Sequence, residues 1–319
     1  MNLMKTTALA ALVVGSLTVA GSAIGQDKTY TIGVSVPTAD HGWTSGVDFF
    51  AQQAVDRLQK AYPNLKFVLA TAPDSTKQAA DLEDMVTTRN IDGLVILPGD
   101  PDAMTASIKK VKDAGKWVTV VDRALSQPGI PDLYVAGDNP GLGATTAAYF
   151  KSALPNGGKV VVLRGLPIPI DKQRFDAFME GIKDTKIQVL DNQFANWNRD
   201  DGYKVMQDFL TKYPEIDAVW AQDDDTLIGA LKAAKEAGRD DKMWFVGGAG
   251  MNQIVKMVAA GSKQVPVDVS YNPNMVATAI DLTALHFVAN SQVDGTMIIN
   301  STLITKDNAA QFDYPNTPF

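Results

Sequence analysis

An aspartate and an arginine, Asp122 and Arg123, come directly after the apolar run 117–121. A carboxylate accepts hydrogen bonds and a guanidinium donates them through a rigid fork. Side by side they suit a ligand covered in hydroxyls, each of which both gives and takes a bond. Adjacent side chains at a strand end are not expected to reach each other well, which argues against a purely structural ion pair. Two tryptophans add to this chemistry. Trp43 follows a glycine after the first apolar run, and Trp197 sits in the polar stretch 196–199. A tryptophan among polar loop residues serves as a platform for the apolar face of a ligand. His41 stands beside the first of them. Arg174 opens a helical stretch, where the helix dipole disfavours a cation, so an anionic or hydroxylated group is expected to compensate it.

Signatures of catalysis are thin. The chain has two histidines and no cysteine, and it lacks the H-E-x-x-H and G-x-S-x-G patterns. His286 falls in the helical stretch 277–289 and reads as packing. The glycine-rich segment 137–143 lacks the spacing and the lysine of a phosphate loop; it reads as a turn into a helix capped by Asp138 or Asn139. One rival remains in the run Asp223, Asp224, Asp225. Asp223 and Asp225 could hold magnesium for a metal-dependent hydrolase. Against this, Asp225 is a good N-cap for a helix beginning at Thr226 and Asp224 can face solvent, which leaves Asp223 free to accept from hydroxyls. No companion motif accompanies the run, and no cofactor is called for.

These residues must be positioned by something. Apolar runs at 30–36, 67–71, 93–97, 117–121, 133–136, 159–163, 187–190, 218–222, 244–246, 265–270 and 296–304 alternate with helix-length segments. The latter lie at 46–62, 76–89, 103–114, 141–153, 173–183, 201–213 and 226–237. Continuous apolar strands joined by helices predict parallel sheets covered on both faces. Residues 90–98 (NIDGLVILP) and 215–223 (EIDAVWAQD) share a layout, which predicts two copies of one half-fold: an α/β protein of two doubly wound lobes. In such sheets ligands sit beyond the carboxyl ends of the strands, where the residues singled out above lie.

The first residues read as an address. Residues 1–25 carry one charge (Lys5), an apolar run and small residues ending in an A-x-G pattern, which predicts an export signal cleaved before Gln26. The run is too short and too broken by glycine for a membrane anchor. Without the leader about 290 residues remain, enough for two lobes, and an exported chain of that size needs no disulfide. The net charge of −7 becomes −8 once Lys5 is gone. An acidic chain with scattered basic residues argues against nucleic acid and anionic membranes.

Several segments together carry a family likeness across the mature chain: IGVSVP at 32–37, IDGLVILP at 91–98, VDR at 121–123 and GDN at 137–139. RFDAF at 174–178, AQDD at 221–224 with GAL at 229–231, and VG at 246–247 complete it. The chain resembles periplasmic sugar-binding proteins of the ribose/galactose type, the type I substrate receptors of ABC importers. The resemblance implies two Rossmann-like lobes joined by a three-segment hinge, crossing near 136–138, 271–272 and 298–301. The N-terminal lobe would comprise 26–137 plus 272–299, and the C-terminal lobe 138–271 plus 300–319. It places the ligand-binding set on His41, Trp43, Thr44, Asp122, Arg123, Arg174, Trp197, Asp223, Ala249 and Tyr271. Two positions depart from the family pattern. Ala249 stands where an aspartate is expected, and Tyr271 replaces the glutamine near the hinge. Thr44, smaller than the family's aromatic, leaves room on one face.

Residues and resemblance together imply a binding protein rather than an enzyme, one that captures a monosaccharide or polyol in the periplasm. The expected partners are that ligand and a membrane permease, with a chemoreceptor as the alternative docking partner, and the chain is expected to be monomeric.

Overall fold

A computed structural model describes residues 28–319; the predicted leader, 1–25, lies outside them. The fold is α/β, as predicted. Six parallel strands form the first sheet, in the order β11 (Gly295–Ile299), β5 (Leu133–Gly137), β4 (Trp117–Val121), β3 (Gly93–Ile96), β1 (Tyr30–Pro37), β2 (Leu65–Ala72). Four make the second, in the order β7 (Ile187–Phe194), β6 (Gly158–Arg164), β8 (Ala218–Ala221), β9 (Trp244–Val246). A short antiparallel pair joins β10 (Asp268–Val269) to β12 (Leu303–Ile304). The chain reverses its winding between β1 and β3 in the first sheet and between β6 and β8 in the second, and crevices open at such switch points.

Burial explains the continuous apolar runs. Every residue of β3 and β8 is buried, because helices cover both faces of each sheet. These two strands carry the repeated sequence, and each occupies the same place beside the switch. The helices that matter for the site are α1 (Gly42–Ala61), α4 (Asn139–Ala153), α5 (Pro169–Ile182), α6 (Arg199–Lys212), α7 (Asp224–Glu236) and α8 (Asn252–Ala259). The first five begin earlier than the apolar periodicity predicts, and α8 has no counterpart in it. Proline in the first turn of α4 and α5, and the polar first turns of α1, α6 and α7, extend them beyond the apolar pattern.

The chain passes between the sheets where β5 leads into α4, where β10 leads to α9 (Met275–Ala289), and where β11 leads to β12. These passages are tied together: Asp138 N–H donates to Ile299 O at 2.9 Å, Ser301 Oγ to Asp138 O at 3.0 Å, and Ser270 N–H to Thr302 O at 2.9 Å. The C-terminal tail runs from the second lobe, where Ile304 and Ala309 are buried in the core, to a contact with the first. Tyr314 packs edge-on against Phe50 of α1 while its carbonyl accepts from Asn252 of α8. Phe319 lies against Gly46. The end of the tail thus touches both lobes.

Candidate ligand-binding site

A cavity lies where the carboxyl ends of the two sheets meet, with about 300 Å³ of empty space counted out to open solvent. Its lining comprises His41, Trp43, Asp122, Arg123, Ile170, Arg174, Trp197, Asp223, Gly248 and Tyr271. Eight of the ten residues predicted from sequence are therefore brought together. Thr44 and Ala249 are not. Thr44 is buried and turned inward, its hydroxyl accepting from the Asp40 and His41 N–H groups at 3.0 and 3.2 Å, so it shapes the entry to α1 instead of leaving room beside a ligand. Ala249 bridges to Ser270, and its neighbour Gly248 faces the cavity instead.

From the first sheet come four side chains. His41 is the N-cap residue of α1 and its Nδ1 meets Asp40. Trp43 lies in the first turn of α1 rather than in a loop, and its Nε1–H donates to Tyr271 O at 2.9 Å. Asp122 has φ +62°, a left-handed conformation that costs roughly 1–3 kcal/mol for a residue other than glycine. Strain of this kind concentrates at functional sites. Its carboxylate accepts from the Tyr271 hydroxyl and stands 3.8 Å from Arg123 Nε, so the adjacent side chains do approach each other, contrary to expectation. Arg123 Nη1 donates to the carbonyls of Pro98 at 3.1 Å and Gly99 at 2.5 Å, while its buried Nε has no hydrogen-bond partner in the protein.

The second sheet supplies the facing half. Arg174 sits in the second turn of α5, not at its start, so the helix dipole does not explain its company. Its Nε donates to Asn139 Oδ1 at 2.7 Å and its Nη1 to Gln222 O at 3.0 Å. The guanidinium lies 4.3 Å from the Tyr271 ring centre and 5.4 Å from that of Trp197. Trp197, in the loop between β7 and α6, has φ +53° and follows Asn196 at +54°. Its ring rests so closely on Gly165 that a side chain there would overlap the indole. The Trp197 Nε1 and both amide atoms of the fully buried Gln222 have no protein partner.

The acidic run is arranged differently from the expectation. Asp223, not Asp225, caps α7, its Oδ1 accepting from the N–H groups of Asp225 and Thr226 at 2.8 and 3.4 Å. Asp224 is fully buried rather than solvated and accepts from the Gly248 and Met251 N–H groups at 3.0 and 2.7 Å. Asp268 holds the same loop through Gly250 N–H at 3.1 Å. Asp225 reaches across the cleft to Gly42 N–H and pairs with Arg199 Nε at 3.0 Å. The three carboxylates diverge to separate partners, and among the described residues no group of three or more acidic or histidine side chains could hold a metal. The metal-hydrolase alternative is thus unsupported.

Charge state follows burial. Burial raises Asp223 to about 6, against the pull of His41. Burial opposes the charged imidazole of His41, but Asp40, Asp223 and Asp225 together raise it above its ordinary 6.5. Burial and the Asp122 charge hold the Tyr271 phenol well above its ordinary range, so it stays a donor. His286, read as packing, stacks on Trp117 with ring centres 3.7 Å apart.

Sequence reasoning missed Ile170, Gly248, Asn139, Gln222 and the Asp224–Asp268 clasp. Gln222 and Asp224 flank Asp223, and their position after a strand was the available signal; Asp268 offered none.

Comparison with known proteins places these features in context. Residues 32–289 match the family described as periplasmic binding protein domain. The ribose import binding protein of Escherichia coli (strain K12) is 32% identical over 244 residues, 76% of this chain and 79% of that one. An ABC transporter solute binding protein from Mycobacterium smegmatis with bound glycerol superposes with a TM-score of 0.80 at 26% identity, covering 91% of this chain and 98% of that one. A Bacillus halodurans C-125 counterpart with bound myo-inositol gives 0.81 at 23% identity, covering 91% and 99%.

Proposed function

Because this chain belongs to the periplasmic binding protein family, we propose that it captures a monosaccharide or related polyol in the periplasm and delivers it to an ABC importer. One observation carries the reading: aromatic faces and fixed charges from both lobes converge on one cavity, with buried polar atoms still unpaired. Buried polar groups are nearly always satisfied, so these await a partner that is not protein. The likeness to a ribose import protein and to a glycerol-bound solute receptor agrees in ligand chemistry.

In this reading His41, Trp43, Asp122, Arg123, Arg174, Trp197, Asp223 and Tyr271 form the site. The indoles of Trp43 and Trp197 cover apolar faces of the ligand; the charged groups read its hydroxyls. Hydrogen bonds to charged groups contribute about 1.5–3 kcal/mol each, and stacking about 0.5–1.5. Several of these together reach the roughly 8 kcal/mol of a micromolar complex after ordering costs. A ligand that touches both lobes favours the closed form, and the closed shape is what the permease meets. The receptor works as a monomer and changes no bond in its ligand.

A thermal-shift screen of pentoses, hexoses and polyols, followed by calorimetry and recovery of the ligand, tests this. Saturable binding with the compound returned unchanged is expected. No hit across the panel, or a hit recovered as a different compound, would count against it.

A further inference from the structure

Tyr271 bears on which ligand fits, an inference that deepens the reading above and rests on it. The side chain lines the cavity and is 4% exposed. Arg174 lies over its ring, and a side chain on Gly137 would begin 2.2 Å from its ring carbon Cε2. Its hydroxyl donates to Asp122 Oδ1 and accepts from Asn139 Nδ2 at 2.9 Å. Its backbone is pinned as well, by Trp43 Nε1–H on the carbonyl and by its own N–H on Ala249 O at 2.9 Å. The ring cannot leave the cavity without breaking contacts from both lobes.

This has two consequences. Polar groups that could read hydroxyls are already engaged: one oxygen of Asp122, both amide atoms of Asn139, and Arg174 Nε. What remains is His41, the second oxygens of Asp122 and Asp223, the unpaired Arg123 Nε and Trp197 Nε1, and the Gln222 amide. The space left beside the ring is bounded by a phenol that is held from both lobes and cannot move aside.

We infer that Tyr271 sets the size limit of the cleft, filling the volume a hexopyranose would need and restricting the ligand to compact polyhydroxy molecules such as a tetritol, a tetrose or a pentofuranose. It acts by exclusion and by occupying Asp122 and Asn139, not as a hydroxyl reader in its own right.

Calorimetric titration of the purified protein with erythritol, threitol, ribose and glucose tests the limit, repeated on Tyr271→Phe and Tyr271→Ala. The unaltered protein should bind one of the smaller compounds at least about tenfold more tightly than glucose. Tyr271→Phe should keep that order, because the ring remains. Tyr271→Ala should gain affinity for glucose and narrow or reverse the gap. Glucose bound by the unaltered protein as tightly as the smaller compounds overturns the inference, even if Tyr271→Ala does not fold; so does a Tyr271→Ala protein whose ranking is unchanged. Failure of all four compounds, and of the wider sugar and polyol panel, overturns the parent reading and this inference with it, a result distinct from tight binding of glucose.

Discussion

The two halves of the cleft carry similar side chains in different states of completion. On the first-sheet side, His41 is met by Asp40, Asp122 by Tyr271, and Arg123 by two backbone carbonyls; Arg123 Nε is the orphan there. On the second-sheet side, the Trp197 Nε1 and both amide atoms of Gln222 are unpaired, and Asp223 is pushed up to about 6 by burial. A buried polar group without a partner costs about 1–3 kcal/mol. The first half is thus close to finished as folded, while the second holds unmet demand that a ligand, or water accompanying it, can satisfy. Substitutions on the second side should therefore weaken binding more than equivalent ones on the first.

The two arginines give the sharpest test. Arg174→Ala removes the donor to Asn139 and to Gln222 O and the cation between two aromatic rings. Arg123→Ala removes two bonds to carbonyls at the end of β3. Losing one member of a buried charged set costs about 2–5 kcal/mol. We expect Arg174→Ala near the top of that range and Arg123→Ala near the bottom, both by calorimetry on the best ligand. A reversed order would break the comparison.

Trp197 comes next. Loss of one stacking face plus its buried area amounts to about 2–3 kcal/mol of binding. Trp197→Ala should lose that affinity, whereas Trp197→Phe keeps a ring face and should retain most of it. Equal affinity in all three proteins would remove Trp197 from the site.

How far these residues are legible in the sequence depends on what kind of signal they carry. Asp122, Arg123 and Trp197 stand out because they come after strands, and a doubly wound sheet sends its ligands there. The repeated 90–98 and 215–223 segments reveal the two-lobe architecture for the same reason: β3 and β8 are equivalent central strands. The acidic run misleads because N-capping depends on where a helix begins, and the apolar pattern places that point two residues too late. Asp223 therefore caps, and Asp224 turns inward. The Asp224–Asp268 clasp is invisible in the sequence, since its members are 44 residues apart and come together only in the folded chain, around the 248–251 loop. Thr44 and Ala249 rest on family positions alone, and local packing here uses them otherwise.

A smaller effect is expected where the halves touch. Asp225 of the second half accepts from Gly42 N–H of the first, and a side chain on Gly42 would begin 2.7 Å from that carboxylate oxygen and 2.0 Å from the Met251 methyl. Met251 can move; the hydrogen bond cannot survive the displacement of Asp225. Gly42→Ala should therefore weaken ligand binding by about 1 kcal/mol through a wedged cleft, with an unchanged melting temperature for the unliganded protein. Unaltered affinity would mean that this contact plays no part in closure.

The smallest effect concerns protons, and it too separates the halves. His41 stands on the first side, and the carboxylates of Asp223 and Asp225 that help raise its pKa above 6.5 stand on the second. Asp40 and Thr44 are its other polar neighbours. Closing the cleft brings the imidazole to those carboxylates, so the closed form holds its proton more tightly than the open one. The stabilisation of the closed form is therefore complete below about 6.5 and is lost as pH rises through the higher closed-state value. On the acid side, protonation of Asp223 near 6 removes one of the attracting charges. Affinity for an uncharged ligand should then fall on the alkaline side by a few-fold, the scale of about 0.3–1 kcal/mol of a partly screened ion pair. His41→Asn cannot titrate and should flatten both limbs, because the Asp223 charge acts here through the imidazole. A variant whose affinity still declines with the same slope above neutrality would show that the proton is held elsewhere.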